Sequence, residues 1–282
     1  MGRAGPGGQR PRRPHPAGTP GNGPFSAADR TAPNRVLGLW CLRRTVDRGL
    51  LLAPEDVMRL DETTGPTAFP LLVSAAGRPT VEQPDAAALE AHMARRVYGR
   101  FTLTDAVRPG WRLDVVPQEG YRHDSFVDPQ SGTRLPALVA AVSSESLFET
   151  FLDLLVPLGD TVDVVLESSH ATEHGHEEFV REGVERVILE SLLWEFDDLL
   201  LNDGCTGIAV MRPEASLEVQ LDEHKLLVAY APVRGPFERI LRDRGLGRDD
   251  RLRFISQGEH LHTSHGRYAR RFEALRASLG AE

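Results

Sequence analysis

Residues 148–176 read FETFLDLLVPLGDTVDVVLESSHATEHGH, and this stretch decides the predicted fold. It predicts a helix, a short link containing glycine, an apolar strand and a cluster of histidines, after which a second helix begins. Residues 237–265, FERILRDRGLGRDDRLRFISQGEHLHTSH, repeat the same order. Because a fixed order of elements that recurs along a chain indicates a duplicated supersecondary unit, we predict two related halves.

Working outward from these stretches, four regions are predicted along the chain. Residues 1–34 contain seven Gly and seven Pro but only Phe25 among the large apolar side chains, so they are predicted to form a disordered tail. Residues 35–84 are an irregular segment, leucine-rich at first and then loop-like. Residues 85–203 and 204–282 form the first and second halves. Three interpretations of the tail remain open. It is a basic arm that binds nucleic acid or an acidic surface, a tether, or an upstream extension of the reading frame, in which case translation starts at Met58.

Each half is predicted to contain an antiparallel strand meander followed by helix, strand and helix, which gives an α+β protein. In the first half the pattern predicts a helix over 145–156, a strand over 161–167 and a long helix over 177–201. The second half is predicted to supply strands over 207–211, 217–221, 226–231 and 252–255 and a final helix that begins near His265.

The composition favours a cytoplasmic protein. Cys41 and Cys205 are the only cysteines, so the chain has no disulfide framework. Charged residues interrupt the apolar stretches before they reach the length of a membrane span, and no secretory signal pattern follows the basic N-terminus. Lys225 is the only lysine among 33 basic residues, which we interpret as the coding bias of a GC-rich, bacterial genome.

Charge differs between the two repeated segments. Residues 145–203 hold sixteen acidic side chains against Arg181 and Arg186, whereas residues 234–279 hold eleven arginines against six acids. Such complementarity favours packing of the halves or self-association, and a protein partner is a further possibility. A nucleic-acid ligand is disfavoured because the basic segment lacks aromatic side chains in a stacking arrangement.

Two histidine clusters are the strongest candidates for a functional site. Imidazole, together with nearby carboxylates, is the ligand set of zinc and related divalent metals. On a strand, His260 and His262 would point to the same side and could bind one ion. If the duplication is real, the two clusters could face each other and form one metal site, whose six candidate ligands are His170, His174, His176, His260, His262 and His265.

The same residues allow other interpretations. Histidines in loops often bond to backbone groups or face water, and His262 or His265 beside Glu259 could act as a general base without a metal. The turn 202–207, Asn-Asp-Gly-Cys-Thr-Gly, is another candidate site or an ordinary helix stop. Within it, Cys205 is either a nucleophile paired with a distant histidine or a small buried apolar residue. The segment 222–225, Asp-Glu-His-Lys, is predicted to be a hairpin tip that could add carboxylates to a metal site.

These observations predict a soluble intracellular binding or regulatory protein rather than an identifiable enzyme. The chain contains no phosphate-binding loop, no dinucleotide fingerprint and no Gly-x-Ser-x-Gly elbow, so no complete catalytic pattern is present. The alternative is a metal-dependent hydrolase that uses the two histidine clusters. In that case a divalent ion such as zinc would lower the pKa of a bound water and make it a nucleophile.

Overall fold

The structure is a computed structural model that describes residues 57–60, 85–127, 132, 134–170 and 175–282. The predicted tail 1–34 lies outside these residues, and so does most of the segment 35–84. His174 of the first histidine cluster also lies outside the described residues.

The described chain alternates short strands with helices. The helices are α1 (Ala86–Ala94), α2 (Ser144–Leu155), α3 (Arg186–Leu193), α4 (Asp197–Asn202), α5 (Gly235–Asp243) and α6 (Gly266–Leu279). The strands are β1 (Val57–Leu60), β2 (Val97–Tyr98), β3 (Phe101–Thr102), β4 (Val107–Pro109), β5 (Gly120–Val127), β6 (Arg134–Ala141), β7 (Thr161–Ser168), β8 (Glu177–Glu185), β9 (Thr206–Arg212), β10 (Leu217–Leu221), β11 (Leu226–Tyr230) and β12 (His260–His265).

A seven-stranded antiparallel sheet organises the fold. Its strand order is β5-β6-β11-β10-β9-β7-β8, and strands from both predicted halves pair directly, β6 with β11 and β7 with β9. A second sheet has the order β1-β12-β4, and β2 pairs with β3 in a small ribbon. The prediction of a mixed α+β protein with antiparallel sheets is therefore confirmed.

Alternation along β7 explains how the sheet and the helices pack. Val162, Val164 and Leu166 lie on one face and join the main core, where they meet helix α2 through residues such as Phe151. Val165 points to the other face and joins a separate small cluster. Since successive side chains of a strand point to opposite faces, the apolar run Val164-Val165-Leu166 contributes to both clusters.

The predicted long helix over 177–201 is wrong in its first part, and the 3₁₀ turn Trp194–Phe196 divides the remainder into α3 and α4. Residues 177–185 form strand β8, which pairs with β7 at the edge of the sheet, and helix begins only at Arg186. Gly183 has a left-handed φ of +68°, its N–H donates to an oxygen of Asp163, and the register of the β7–β8 pair shifts nearby. The cross-strand hydrogen bonds and this irregularity outweigh the helical spacing of the apolar residues.

The predicted strand over 252–255 is also wrong. Its apolar members Leu252, Phe254 and Ile255 are buried in the second core cluster, but the backbone there forms no ladder and ends in a short 3₁₀ turn, Ile255–Gln257. The strand of this region is β12, which carries the second histidine cluster itself.

An arginine at the C-terminal end of α5, Arg244, forms ion pairs with two acidic side chains of α2. Arg244 donates to Asp153 at 2.7 Å and to Glu149 at 2.9 Å, so the acidic and the basic segment contact each other within one chain. These side chains are partly exposed to solvent, so each pair contributes at most about 1 kcal/mol.

Candidate metal centre

Three histidine rings meet where the tip of the β10–β11 hairpin approaches strand β12. We call His224, His260 and His262 the histidine triad. One ring nitrogen from each residue lies within 4.8 Å of the other two. The ring centroids are 4.9 Å apart for His224 and His260, 4.7 Å for His224 and His262, and 5.2 Å for His260 and His262. The triad therefore brings three potential donors to one point.

The local backbone explains how these rings converge. His260 and His262 alternate along β12 and so point to the same side of the strand. His224 sits in a tight turn in which the Leu226 amide donates to the Asp222 carboxylate at 2.7 Å. Lys225 takes a left-handed conformation with a φ of +61°, which turns the chain back into β11.

An oxygen atom orients each ring of the triad through Nδ1. His260 donates to the carbonyl of Gly258 at 2.8 Å and His262 to the carbonyl of Gly204 at 2.8 Å. The third ring, His224, lies 3.2 Å from a carboxylate oxygen of Asp222. Because these oxygens only accept, Nδ1 carries the proton in each neutral ring and Nε2 carries the lone pair. Outer oxygens of this kind are the usual support of metal-binding histidines.

The triad is largely shielded from water. His260 is 9% exposed and the side chain of His224 is 12% exposed. Burial, followed by the neighbouring His224 ring, holds the pKa of His262 well below its ordinary value. This side chain is therefore a neutral imidazole at neutral pH, which is the form that binds metals.

A narrow cleft runs beside the triad. Its walls include His224, Lys225, Val107 and Phe254, and they are mostly apolar. The free space in the cleft amounts to about 20 Å³, which corresponds to roughly one water molecule. Of the triad, only His224 lines this cleft, which has room for a small ligand beside that ring but not for a large substrate unless its walls move.

A second group of donors lies at the junction of α4 and β9. We call His170, Asp203 and Cys205 the Asp203 cluster. One donor atom from each lies within 4.8 Å of the other two, and Nε2 of His170 is 2.9 Å from a carboxylate oxygen of Asp203. Asp203 is fully buried, and Cys205 is 1% exposed.

Opposing effects set the charges in the Asp203 cluster. Burial lowers the pKa of His170, but hydrogen bonds to Asp203 and Cys205 outweigh this effect and raise the pKa to about 9. For Asp203, burial raises the pKa, but the interaction with His170 outweighs it and the net shift is downward. Without a metal, the pair therefore exists as an imidazolium and a carboxylate at neutral pH.

The turn from Asp203 to Thr206 separates the two groups and contacts both. The Gly204 amide donates to the carbonyl of Thr263 at 2.8 Å, while the Gly204 carbonyl accepts from His262. The ammonium group of Lys225 donates to the carbonyl of Thr206 at 2.7 Å. Donors from strand β12 and from the hairpin tip therefore reach two carbonyl groups of one turn, those of Gly204 and Thr206.

The predicted site residues divide into three groups. His260 and His262 meet in the triad, and His170 lies in the Asp203 cluster. His176 precedes β8 and His265 ends β12 with its ring 6.0 Å from that of Tyr268, and neither belongs to a group of potential metal ligands within the described residues. His174 lies outside the described part of the chain.

Sequence reasoning missed two of the converging donors. The sequence predicts the segment with His224 only as a hairpin tip that could supply carboxylates, and it predicts Asp203 only as part of the candidate turn 202–207. The available signal for His224 was its place between two apolar strands, next to the only lysine of the chain. Nothing in the sequence indicates that this tip reaches β12.

None of the helices in the described residues is long and apolar enough to cross a membrane. Comparisons with protein-family models, with curated proteins and with solved structures find no match to this chain. The two groups of donors are therefore the features of this chain that point to a function.

Proposed function

We propose that the protein binds a divalent transition-metal ion, zinc in particular, at the histidine triad. The observation that carries this proposal is the convergence of His224, His260 and His262 within 4.8 Å, together with an oxygen beside Nδ1 of each ring. Imidazole nitrogen suits zinc, copper, iron and nickel, whereas magnesium and calcium prefer oxygen ligands.

The dimensions of the triad support this assignment. Tetrahedral zinc binds imidazole nitrogen at about 2.1 Å, so its ligand atoms lie about 3.4 Å from one another. Rotations of the rings that move the nitrogens by about 1 Å would suffice to reach this spacing from the limit of 4.8 Å. The hydrogen bonds at Nδ1 direct each ring and reduce the entropy lost when the metal binds.

Three histidine ligands leave a fourth coordination position, which in catalytic zinc sites holds water or substrate. A zinc ion held by the triad would lower the pKa of a water molecule in this fourth position and so supply a hydroxide nucleophile near neutral pH. Metal-dependent hydrolysis is accordingly the activity that the ligand set supports best. The three rings of this chain would hold the ion, and the cleft that His224 borders offers space for the water.

A binding or regulatory protein without catalysis is the second candidate. The narrowness of the cleft favours it, because about 20 Å³ beside the ion holds a water molecule but no large substrate. In this case the metal would stabilise the contact between the hairpin tip and β12.

Several broader predictions remain proposals beside these. The repeated sequence order of helix, strand and histidine cluster supports two related halves, but strand β8 replaces the start of the second helix in the first segment and no strand forms over 252–255 in the second. The cysteine content supports a cytoplasmic location, and the arginine bias supports a bacterial origin. The opposite charges of the two segments support self-association or a protein partner. Part of this complementarity is satisfied within the chain, where Arg244 pairs with Glu149 and Asp153.

Zinc affinity and stoichiometry test the proposal on the full chain. We expect wild-type protein to compete for zinc with a chromophoric chelator and to lose one tight equivalent in His224→Ala and in His262→Ala. His123→Ala is the matched control, because this partly buried histidine lies beside Glu238 and outside the triad. If the wild type binds no tight zinc, or if both triad variants retain the wild-type stoichiometry, the assignment is wrong.

Hydrolysis of p-nitrophenyl acetate and bis-p-nitrophenyl phosphate by the zinc-loaded protein separates the two candidates. Turnover that requires zinc and is lost in His224→Ala would support the hydrolase. Tight zinc binding without turnover of either compound would favour the non-catalytic protein.

A further inference from the structure

The Asp203 cluster combines three different metal-binding donors in a buried place outside the triad. His170 offers nitrogen, Asp203 a carboxylate oxygen and Cys205 sulfur, all within 4.8 Å. The three residues come from different elements: His170 follows β7, Asp203 ends α4, and Cys205 precedes β9. The hydrogen bond from the Ser169 amide to the carbonyl of Cys205, at 2.9 Å, holds the first and last of these elements together.

Asp203 itself points to a missing ligand. Its side chain is 0% exposed, and its Oδ1 atom has no hydrogen-bond partner among the described residues, while the nearby Ser264 side chain also lowers the pKa of this carboxyl group. The other carboxylate oxygen accepts from the hydroxyl of Thr206 and lies beside His170. Leaving a buried charged oxygen without a partner destabilises the folded protein. A cation in the cluster would remove this cost.

We propose that His170, Asp203 and Cys205 form a second metal site, which binds zinc or another thiophilic divalent ion through a cysteine thiolate. Nitrogen, oxygen and sulfur donors together fit zinc, whose structural and catalytic sites draw on these three ligand types. The thiolate makes this site softer than the triad, which contains only imidazole. The carboxylate and the thiolate neutralise the two charges of the ion.

An ion pair between His170 and Asp203 is the simpler explanation of the cluster. It accounts for the 2.9 Å contact and for the net charge of the pair. It does not account for the second carboxylate oxygen, nor for the sulfur atom of Cys205 within reach of both partners. A metal ion explains all three observations because it binds the nitrogen, the oxygen and the sulfur together.

This second site does not depend on the triad. Neither site shares a ligand with the other, and the triad contains no sulfur. The two assignments can therefore fail separately, since the triad predicts a metal bound only by nitrogen and the Asp203 cluster predicts a metal bound by thiolate.

Cobalt(II) provides the probe, because its bond to a thiolate gives a charge-transfer band in the near ultraviolet that imidazole and carboxylate ligands do not give. The chain has only two cysteines, so Cys41→Ser leaves Cys205 as the only thiol. We propose titrating reduced, metal-free Cys41→Ser protein, as the full chain, with cobalt(II) and recording the absorbance spectrum and the number of equivalents bound.

We expect the thiolate band to appear in Cys41→Ser with an intensity that corresponds to one cobalt bound by thiolate per chain. His262→Ala in the same background should keep the band, while Cys205→Ser should lose it together with one equivalent of metal. Addition of zinc should abolish the band by displacing cobalt from the thiolate.

Absence of the band from folded Cys41→Ser protein at saturating cobalt overturns the proposal, and the Asp203 cluster is then an ion pair beside a packed thiol. This outcome does not require the Cys205→Ser variant to fold. A band that is present in the wild type but absent from Cys41→Ser also overturns the proposal, because it assigns the thiolate to Cys41.

Discussion

Gly204 is the residue at which one methyl group should disturb the candidate metal centre most. A Cβ atom at this position would lie 2.3 Å from the carbonyl oxygen of Ala106 and 2.9 Å from that of Thr263. Both are backbone atoms, so no flexible side chain can move aside. The Gly204 carbonyl also accepts from His262, and any displacement of the turn therefore moves an oxygen that orients a proposed ligand.

The expected effect of Gly204→Ala has two parts. Its φ lies outside the left-handed region, so backbone strain plays no part, and alanine would by itself reduce the entropy of the unfolded chain and stabilise by about 0.4–1 kcal/mol. Overpacking against fixed neighbours costs about 1–3 kcal/mol, and the steric cost prevails because the 2.3 Å contact is far below van der Waals distance. Displacing an outer oxygen should weaken metal binding by about 10–100-fold.

Two measurements separate these parts. Urea unfolding in the presence of a chelator reports the loss of stability without metal, and chelator competition in the folded protein reports zinc affinity. Gly266→Ala is the matched control, because a Cβ there meets nothing within 4 Å and the residue is the first of α6. Stability and zinc affinity of Gly204→Ala equal to those of Gly266→Ala would refute the reasoning about this turn.

Three further changes test the core and the triad. Leu154→Ala should lower the free energy of unfolding by about 2–5 kcal/mol because the side chain is fully buried in the main core, and urea unfolding should show this with an unchanged zinc stoichiometry. Asp222→Asn keeps an oxygen for the Leu226 amide but removes the charge beside His224, so chelator competition should show zinc affinity reduced by about tenfold or more. Zinc at about 100 times its dissociation constant should stabilise the protein by about 2.7 kcal/mol and raise the melting midpoint by about 5–10 °C. An unchanged midpoint after chelation would contradict the last prediction.

Local patterns predict the fold best where they agree with the pairing of the strands. The strand over 217–221 has the predicted bounds, and the helix predicted over 145–156 matches α2 to within one residue at each end. The region 177–185 differs because its apolar residues follow helical spacing while its hydrogen-bonding partners lie in β7. The chain end contributes as well, since Val180 exchanges two backbone hydrogen bonds with Glu282. No window of sequence contains these distant partners.

The candidate site, like the fold, is predicted from the sequence only where its residues are close neighbours along the chain. The alternation of His260 and His262 predicts two rings on one side of a strand, and the structure places them so. His224 lies 36 positions before His260 and reaches the other two rings through a hairpin whose tip approaches β12. The spacing of residues along the sequence does not predict this contact. For His170 the sequence suggested a common site with the second cluster, but the structure brings it to Asp203 and Cys205 instead.

The turn from Asp203 to Thr206 explains why two groups of donors occur so close together without sharing a ligand. The Gly204 amide donates to the carbonyl of Thr263, and the Gly204 carbonyl accepts from His262. The Lys225 ammonium group donates to the carbonyl of Thr206 in the same turn. A turn fixed in this way holds Asp203 and Cys205 on one side and supports the histidine triad on the other. Ligands that are held in place before the metal arrives lose little entropy when it binds. The rigidity of this turn is therefore the physical link between the sequence Asn-Asp-Gly-Cys-Thr, which reads as an ordinary helix stop, and the two metal sites that we propose.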